Sequence, residues 1–277
     1  MSNSYISGKG NLPVLTVHMV VKNEDQWVWY SLQSVLPFAA RILITDTGST
    51  DHTVPCIRSI ASPKIELSVV QAATSSQVTA ARQAQIEQTK TDWIWVVDGD
   101  EIYPETTAQE ILRAVSQAQY EGIVVKRFDL LGDIYHRQRE GVGTYHLFGQ
   151  KGHLVTRLVN QHKIDGLHYR GNYPMEGWYD SQGISTQQRS PEKWYITDNA
   201  LYHAMYLRRS SLGSNLPMFN RSKYKVEKGL SVPGPVPPVF SLPRPSFVPD
   251  ALTRRSTSYE LAAAILTPIK ELKRKIL

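Results

Sequence analysis

One stretch constrains this chain more than any other: residues 93–101 read WIWVVDGDE. The bulky apolar run predicts a strand that is buried on both faces. Its abrupt end puts Asp98, Asp100 and Glu101 at the carboxyl end of that strand, where open parallel sheets bind ligands. Two aspartates around a glycine can share a divalent cation, because hard ions prefer carboxylate oxygen. A surface turn is the competing interpretation, because Asp-Gly is a common turn dipeptide.

Length and composition limit the classes of protein that this chain can form. The 277 residues can hold one large domain, or one domain with an appendage. Apolar residues make up 41% and charged residues 20%, which is typical of a globular core, and no apolar run is long enough to span a membrane. The single cysteine, Cys56, and the absence of a signal-peptide pattern predict a cytoplasmic location. The net charge of +6 favours an anionic partner, with nucleic acid, nucleotides and lipid surfaces as candidate classes.

The first half of the chain alternates between β-rich and helical patterns. Strands are predicted at 14–21, 41–46, 65–70, 93–97 and 121–129, and helices at about 24–36, 51–60, 76–88 and 105–119. This alternation predicts an α/β fold with a mostly parallel sheet between two helical layers.

Three segments carry a specific resemblance. Residues 19–24 (MVVKNE), 44–51 (ITDTGSTD) and 97–101 (VDGDE) resemble, in order and spacing, the motifs of family 2 glycosyltransferases. The likeness covers roughly residues 12–105 and implies the Rossmann-like GT-A fold, a nucleotide-sugar donor, and Mn²⁺ or Mg²⁺ as cofactor. Thr47 departs from many relatives, which carry a second aspartate at that position.

The resemblance assigns residues to the donor nucleotide. It implies that Asp46 accepts a hydrogen bond from the base and that Arg82 faces the diphosphate or the base. Val20, Glu24 and Gly99 are expected to line the same site. Each charged residue has a structural alternative: Asp46 could cap its turn, Glu24 could be a first-turn acid, and Arg82 could be an exposed helix arginine.

The resemblance also assigns a metal site. Asp98 is expected near the ribose and the metal, Asp100 as a direct ligand, and His203 as the residue that completes the site. A neutral imidazole beside two carboxylates is a sensible ligand set for Mn²⁺. His203 could instead be a satisfied core histidine, and His168 is a weaker candidate for the same role.

An inverting transferase needs a carboxylate base that takes the proton of the acceptor hydroxyl. Glu176 is the leading candidate because residues 174–180 mix acids with aromatics, and Asp180 and Asp165 follow it. A surface-loop acid is the alternative for each. The sequence further predicts a long acceptor-side loop at 128–150 and a hairpin over 151–169.

The end of the chain has a different pattern. Seven prolines in 232–249 predict an extended arm, and 258–277 reads as a helix with an apolar stripe and a basic end. We therefore divide the chain into a catalytic domain (1–226), a proline-rich linker or arm (227–250) and a basic amphipathic helix (251–277). Such a helix suits an anionic membrane surface, while docking on its own domain or pairing in a homodimer is the alternative.

The sequence therefore predicts a metal-dependent, inverting glycosyltransferase that moves a sugar, from a UDP-sugar by preference, to a glycan or lipid-linked acceptor, with no nucleic-acid partner. A nucleotidyltransferase would also use paired aspartates, but residues 21–24 (VKNE) lack the glycine-rich, lysine-bearing loop expected of one. A catalytically silent nucleotide- or carbohydrate-binding module is the non-enzymatic alternative. Basic residues after His203 could close over a diphosphate: Arg208, Arg209, Arg221, Lys223 and Lys225.

Overall fold

The computed structural model of the chain describes residues 14–208 and 225–276. Four parallel strands form one half of a ten-stranded sheet, in the order β3-β2-β1-β4. They are β1 (Leu15–Val21), β2 (Arg41–Asp46), β3 (Ile65–Val69) and β4 (Trp93–Val96). All four were predicted from the sequence to within about a residue, because their apolar runs are short and end in polar turns.

Helices cover both faces of this half of the sheet. They are α1 (Val28–Val35), α2 (Thr53–Arg58), α3 (Ser75–Gln88) and α4 (Glu105–Val115). Alternate side chains of β4 enter different layers: Trp95 belongs to the core cluster that contains α1, α2 and α4, and Ile94 packs in the cluster with Ile86 of α3. The predicted α/β class with three layers is therefore confirmed.

The second half of the chain adds mainly antiparallel strands. They are β5 (Glu101–Ile102), β6 (Gly122–Leu131), β7 (Asp133–Arg137), β8 (Tyr145–Leu147), β9 (Gln150–Gly152), β10 (Leu154–Asn160), β11 (His168–Arg170), β12 (Gly177–Tyr179), β13 (Trp194–Tyr206) and β14 (Leu230–Ser231). β10 lies between β4 and β6 and is antiparallel to both. β13 runs parallel to β6 and antiparallel to β5, which brings residues 202 and 203 back beside the carboxylates that follow β4.

Two predictions for this half are wrong. Residues 151–160 and 161–169 do not form a hairpin, because Leu158 and Val159 are fully buried and their strand is taken into the central sheet. The segment 128–150 is not one long loop, because β6 extends to Leu131 and the chain then forms β7 and β8. Both errors come from pairings between residues that are distant in the sequence.

The proline-rich arm packs on the body of the protein. Phe240 is fully buried, with its ring centroid 5.6 Å from that of Tyr30 and 5.9 Å from that of Tyr202. The Tyr30 hydroxyl donates a hydrogen bond to the carbonyl of Pro249 at 2.8 Å. Helix α5 (Thr257–Ile276) follows the arm. Within the described residues, none of the helices combines the length and the apolarity that crossing a bilayer requires.

Candidate active site

A cleft of about 640 Å³ opens at the carboxyl ends of β1 and β4. Its walls come from both halves of the chain, since β10 and β13 flank the loop that follows β4. The predicted site residues that line it are Val20, Glu24, Arg82, Asp98, Gly99, Asp100, Glu176 and His203. Asp46 and Asp180 are not among the residues that line the cleft.

Asp98 is held between two arginines. One of its carboxylate oxygens accepts a hydrogen bond from Arg82 at 3.2 Å, and the other accepts one from Arg157 at 2.5 Å. Burial opposes ionisation of this carboxyl, but the two guanidinium groups outweigh it and hold the pKa of Asp98 below its usual range. Asp98 is therefore a carboxylate with both oxygens engaged.

Arg157 is a site residue that the sequence reasoning missed. Besides Asp98, it contacts the fully buried Glu101, with its Nε 3.0 Å and its terminal nitrogen 2.5 Å from Oε1. The register of β10 against β6 shifts between Thr156 and Leu158, so Arg157 lies at a β-bulge, a feature that re-aims a side chain. Burial raises the pKa of Glu101, and Arg157 acts in the opposite direction. The sequence signal for Arg157 was a charged residue in a strand that is otherwise uncharged.

Asp100 meets His203, as the resemblance implied. The Asp100 Oδ2 atom lies 3.4 Å from His203 Nε2, and the other ring nitrogen, Nδ1, lies 3.1 Å from Asp129 Oδ1. The sheet fixes this arrangement, because His203 on β13 pairs with Glu101 on one side and with Asp129 on the other. Burial lowers the pKa of His203, but the two carboxylates outweigh it and raise the pKa to about 10.

These residues fit a divalent cation in part. Asp100 and His203 offer one oxygen and one nitrogen donor, and a carboxylate behind the second ring nitrogen, here Asp129, is the usual partner of a metal-binding histidine. Asp98 has its oxygens on arginines, and no group of three His, Cys, Asp or Glu side chains in ranges 14–208 and 225–276 is arranged to hold a metal. His168 hydrogen-bonds the carbonyl of Gly166 and does not line the cleft.

The three candidate bases differ in their surroundings. Glu176 lines the cleft with a side chain that is 8% exposed, and its Oε1 lies 3.1 Å from Arg82 Nε. Its Oε2 has no hydrogen-bond partner among the residues that the structure describes. Asp180 instead accepts backbone hydrogen bonds within its own turn and contacts Arg189, and Asp165 accepts from Ser181. The geometry therefore favours Glu176.

Asp46 has the surroundings of a residue that caps its own turn, which is the structural alternative to a contact with the base. It is fully buried and accepts hydrogen bonds from the backbone nitrogens of Gly48 at 3.0 Å and Ser49 at 2.9 Å, and from the Ser49 hydroxyl. Gly48 has φ of +97°, a conformation that favours glycine, so the carboxylate stabilises a tight loop. The geometry favours this role over direct contact with a base.

The remaining residues predicted near the donor are Glu24 and the basic residues that follow His203. Glu24 lines the cleft, and its backbone carbonyl accepts the hydrogen bond of Val28 at the start of α1. Of the later basic residues, Lys225 lies 4.9 Å from the ring centroid of Tyr206 and 3.7 Å from Glu227. Arg209, Arg221 and Lys223 lie outside the described residues.

Five aromatic side chains are among the residues that line the cleft. They come from β8 and from the segment around β11 and β12: Tyr145, Tyr169, Tyr173, Trp178 and Tyr179. Arg127 stacks on the Tyr145 ring at 5.0 Å from the centroid.

The sequence model of "Glycosyl transferase family 2" matches residues 16–211, which contain the first thirteen strands and the whole cleft. The chain belongs to glycosyl transferase family 2. The match extends the resemblance from 12–105 to the end of β13, and together with the α/β/α architecture it confirms the predicted GT-A fold class.

Similar proteins share only part of their length with this chain. The SPbeta prophage-derived glycosyltransferase SunS of Bacillus subtilis (strain 168) is 26% identical over 115 residues, 42% of this chain and 26% of that protein, and SunS of Bacillus phage SPbeta matches equally. The chain thus spans about a quarter of the length of these curated relatives. The crystal structure of S. aureus TarS has a TM-score of 0.47 at 13% identity and covers 69% of this chain and 36% of TarS. Glucosyl-3-phosphoglycerate synthase from Mycobacterium tuberculosis has a TM-score of 0.33 at 17% identity over 42% of this chain and 44% of that one.

Proposed function

We propose that this chain is a metal-dependent, inverting glycosyltransferase that moves a sugar from a nucleoside-diphosphate donor to a hydroxyl acceptor. The observation that carries the proposal is the arrangement around Gly99: Asp98 on two arginines, and Asp100 on a histidine backed by a carboxylate, in one cleft of a family 2 chain. UDP is the expected nucleotide because the family favours it.

Asp100 and His203 would hold the cation, with the diphosphate oxygens as further ligands. When bound, Mn²⁺ or Mg²⁺ supplies positive charge for the departing diphosphate. His203 has to release its proton to act as a ligand, so cation binding competes with protonation of the imidazole. Asp98 keeps Arg82 and Arg157 in place at the edge of the same site.

Glu176 is the proposed base. Its Oε2 takes the proton of the acceptor hydroxyl as that oxygen attacks the anomeric carbon. The acceptor oxygen attacks the face opposite the diphosphate, and the bond between the anomeric carbon and the diphosphate oxygen breaks with both electrons going to the nucleoside diphosphate. This single displacement inverts the configuration at the anomeric carbon. Arg82 lies 3.1 Å from Oε1 and orients the carboxylate.

The acceptor would bind along the aromatic side chains that line the cleft. Flat aromatic faces with adjacent polar groups suit a sugar ring, so a glycan or lipid-linked saccharide is the proposed acceptor class. In this proposal residues 1–226 act as a cytoplasmic catalytic domain, 227–250 as its arm and 251–277 as an appended helix that contacts a membrane.

A donor screen tests the proposal. Release of UDP, GDP or dTDP from nucleotide-sugars is measured with and without Mn²⁺, for the wild type and for Asp100→Asn. Cation-dependent release of one nucleotide that the variant lacks supports the proposal, and the anomeric configuration of the product, read by NMR, tests inversion. Release of pyrophosphate from a nucleoside triphosphate and a sugar phosphate would identify a nucleotidyltransferase, and tight donor binding without turnover would identify a silent module.

A further inference from the structure

Helix α5 docks on the body of the protein by its less apolar face. Its buried side chains are Tyr259, Ala263 and Thr267, spaced four residues apart. The Tyr259 hydroxyl donates to the carbonyl of Lys225 at 2.9 Å, and Thr267 accepts from the backbone nitrogen of Lys228 at 2.8 Å. Docking of the helix therefore leaves its apolar stripe on the opposite side.

The apolar stripe of α5 is exposed. Its members are 59% to 75% exposed and are Leu261, Ile265, Ile269, Leu272 and Ile276. At 3.6 residues per turn these five positions fall within about 40° of one line along the helix, roughly opposite the docked residues. Large apolar side chains grouped in this way mark an interaction surface. No part of the chain within ranges 14–208 and 225–276 covers them.

The charged side chains of α5 are distributed unequally between its docked face and its exposed apolar stripe. Both acidic residues pair with arginines of the protein: Glu260 with Arg255 at 2.6 Å and Glu271 with Arg139 at 3.3 Å. Arg274 also lies on the docked side and pairs with the buried Glu227 at 2.6 Å. The pairing keeps the acidic side chains of α5 away from the stripe.

Two exposed lysines flank the stripe. Lys273 and Lys275 lie about 80° to either side of its line. An apolar ridge with one lysine on each side of its last turn, and with both carboxylates of the helix paired to arginines, matches the interface of a bilayer with anionic lipids. A second copy of the same helix packed in parallel would bring lysines against lysines, so charge disfavours parallel self-association through this face.

We propose that α5 binds an anionic membrane surface with the ridge Leu261, Ile265, Ile269, Leu272 and Ile276 inserted among the headgroups and with Lys273 and Lys275 on the lipid phosphates. The helix lies in the plane of the interface, and its docked face keeps the catalytic body at a fixed orientation to the membrane. Glu227, which holds Arg274, is two residues from Lys225, whose ammonium lies on Tyr206 at the end of β13. The anchoring helix is thus braced against the strand that carries His203.

Vesicle co-sedimentation of the full chain, with no nucleotide-sugar present, tests this proposal independently of the proposed catalysis. Vesicles of phosphatidylglycerol and phosphatidylcholine should retain the wild type at low salt, where the Debye length is about 30 Å, and release most of it near 1 M, where it is about 3 Å. Pure phosphatidylcholine vesicles should retain far less. Failure of the wild type to bind anionic vesicles at low salt overturns the proposal.

Matched variants test the two components. Lys273→Gln/Lys275→Gln should weaken partitioning about 25-fold, about fivefold for each lysine, whereas Lys90→Gln/Lys151→Gln, with the same charge change on other exposed lysines, should not. Ile265→Gln/Ile269→Gln should remove binding, whereas Val69→Gln/Val70→Gln should retain it. Thermal unfolding of each variant checks that the fold is intact. A wild-type dimer in sedimentation velocity that Ile265→Gln/Ile269→Gln dissociates, with vesicle binding unchanged, would assign the ridge to a second copy and overturn the proposal.

Discussion

Asp98 and Asp100 are separated by a single glycine, yet their surroundings are opposite. Asp98 has one arginine on each oxygen, one from α3 and one from β10. Asp100 lies against His203, which is itself held by Asp129. One motif thus provides a carboxylate that fixes the position of two guanidinium groups and a carboxylate paired with a histidine, the pair that we propose holds the metal.

The difference follows from how the sheet is assembled. Arg157 reaches Asp98 because β10 is inserted beside β4, and His203 reaches Asp100 because β13 returns beside β5. Buried ion pairs are weak evidence of net stabilisation, but removal of one partner leaves an uncompensated buried charge. We therefore expect the Asp98 side to determine stability and the Asp100 side to determine ligand binding.

Removal of Arg157 should give the largest effect on folding. Arg157→Met leaves the fully buried Glu101 and one oxygen of Asp98 without their cation, which should cost about 3–5 kcal/mol in the free energy of unfolding. Arg41→Met is the matched control, because it removes an exposed pair with Glu66 that should contribute about 0–1 kcal/mol. Urea denaturation measures both. Equal losses in the two variants would refute the anchoring role of Arg157, and Arg157→Met/Glu101→Gln should recover part of the loss.

Glu176 and Asp98 contact different nitrogens of Arg82, and Glu176 should affect turnover more than stability because Arg82 keeps Asp98 as a partner. Glu176→Gln should lower kcat by about 10²–10⁴-fold with little change in donor affinity, because an amide cannot take the acceptor proton. Asp180→Asn and Asp165→Asn serve as controls that should keep normal turnover, since their carboxylates hold local turns. If one of these controls gives the loss instead, that residue is the base.

Asp129 should influence the metal side without contacting the ligand. Asp129→Asn keeps the shape of the side chain but weakens its hold on His203 Nδ1, so affinity for Mn²⁺ in the presence of UDP should fall about 10–100-fold. Isothermal titration calorimetry measures this change, with Asp198→Asn, an exposed acid, as control. An unchanged affinity would show that His203 does not depend on Asp129.

His18 is a second buried histidine, and its surroundings shift its pKa in the opposite direction to that of His203. Burial first, and then Arg82 and Arg41, lower the pKa of His18 to about 3, in contrast to His203. The unfolded chain binds this proton below pH 6.5 and the folded chain does not, so stability should fall as the pH drops from 6.5 toward 3, by up to about 1.4 kcal/mol per pH unit. Unfolding free energies of His18→Gln across this range should show a shallower slope. An identical slope would contradict the assignment.

The sequence was most informative where function and local structure coincide. The β-α alternation and the motifs at 19–24, 44–51 and 97–101 predicted the parallel half of the sheet and the cleft at its edge. His203 was correctly expected near Asp100 only through the resemblance, because nothing local in β13 distinguishes it from a core histidine. The contact of Asp46 with the base stays a prediction, and in the structure its carboxylate accepts hydrogen bonds from its own loop.

Other features depend on pairings that no local pattern encodes. Arg157 is 56 residues from Glu101 and 59 from Asp98, and a bulge in β10 turns it inward. The predicted hairpin over 151–169 does not form, because β10 pairs with β4 and β6 instead. In α5 the stripe was visible in the sequence, but its exposure was not, because docking through Tyr259, Ala263 and Thr267 requires the tertiary structure.

Thermal unfolding with and without Mn²⁺ and UDP tests the division of roles between Asp98 and Asp100 most directly, because one experiment reads stability and ligand binding together. For Asp100→Asn we expect an unfolding midpoint near that of the wild type without ligand, and no rise in the midpoint when Mn²⁺ and UDP are added. For Asp98→Asn we expect a lower midpoint without ligand, because Arg82 and Arg157 lose their shared carboxylate, and a rise in the midpoint with Mn²⁺ and UDP as in the wild type. Two results would contradict this division of roles. One is a ligand-induced rise in the midpoint that persists in Asp100→Asn. The other is a rise that disappears in Asp98→Asn while its midpoint without ligand is unchanged.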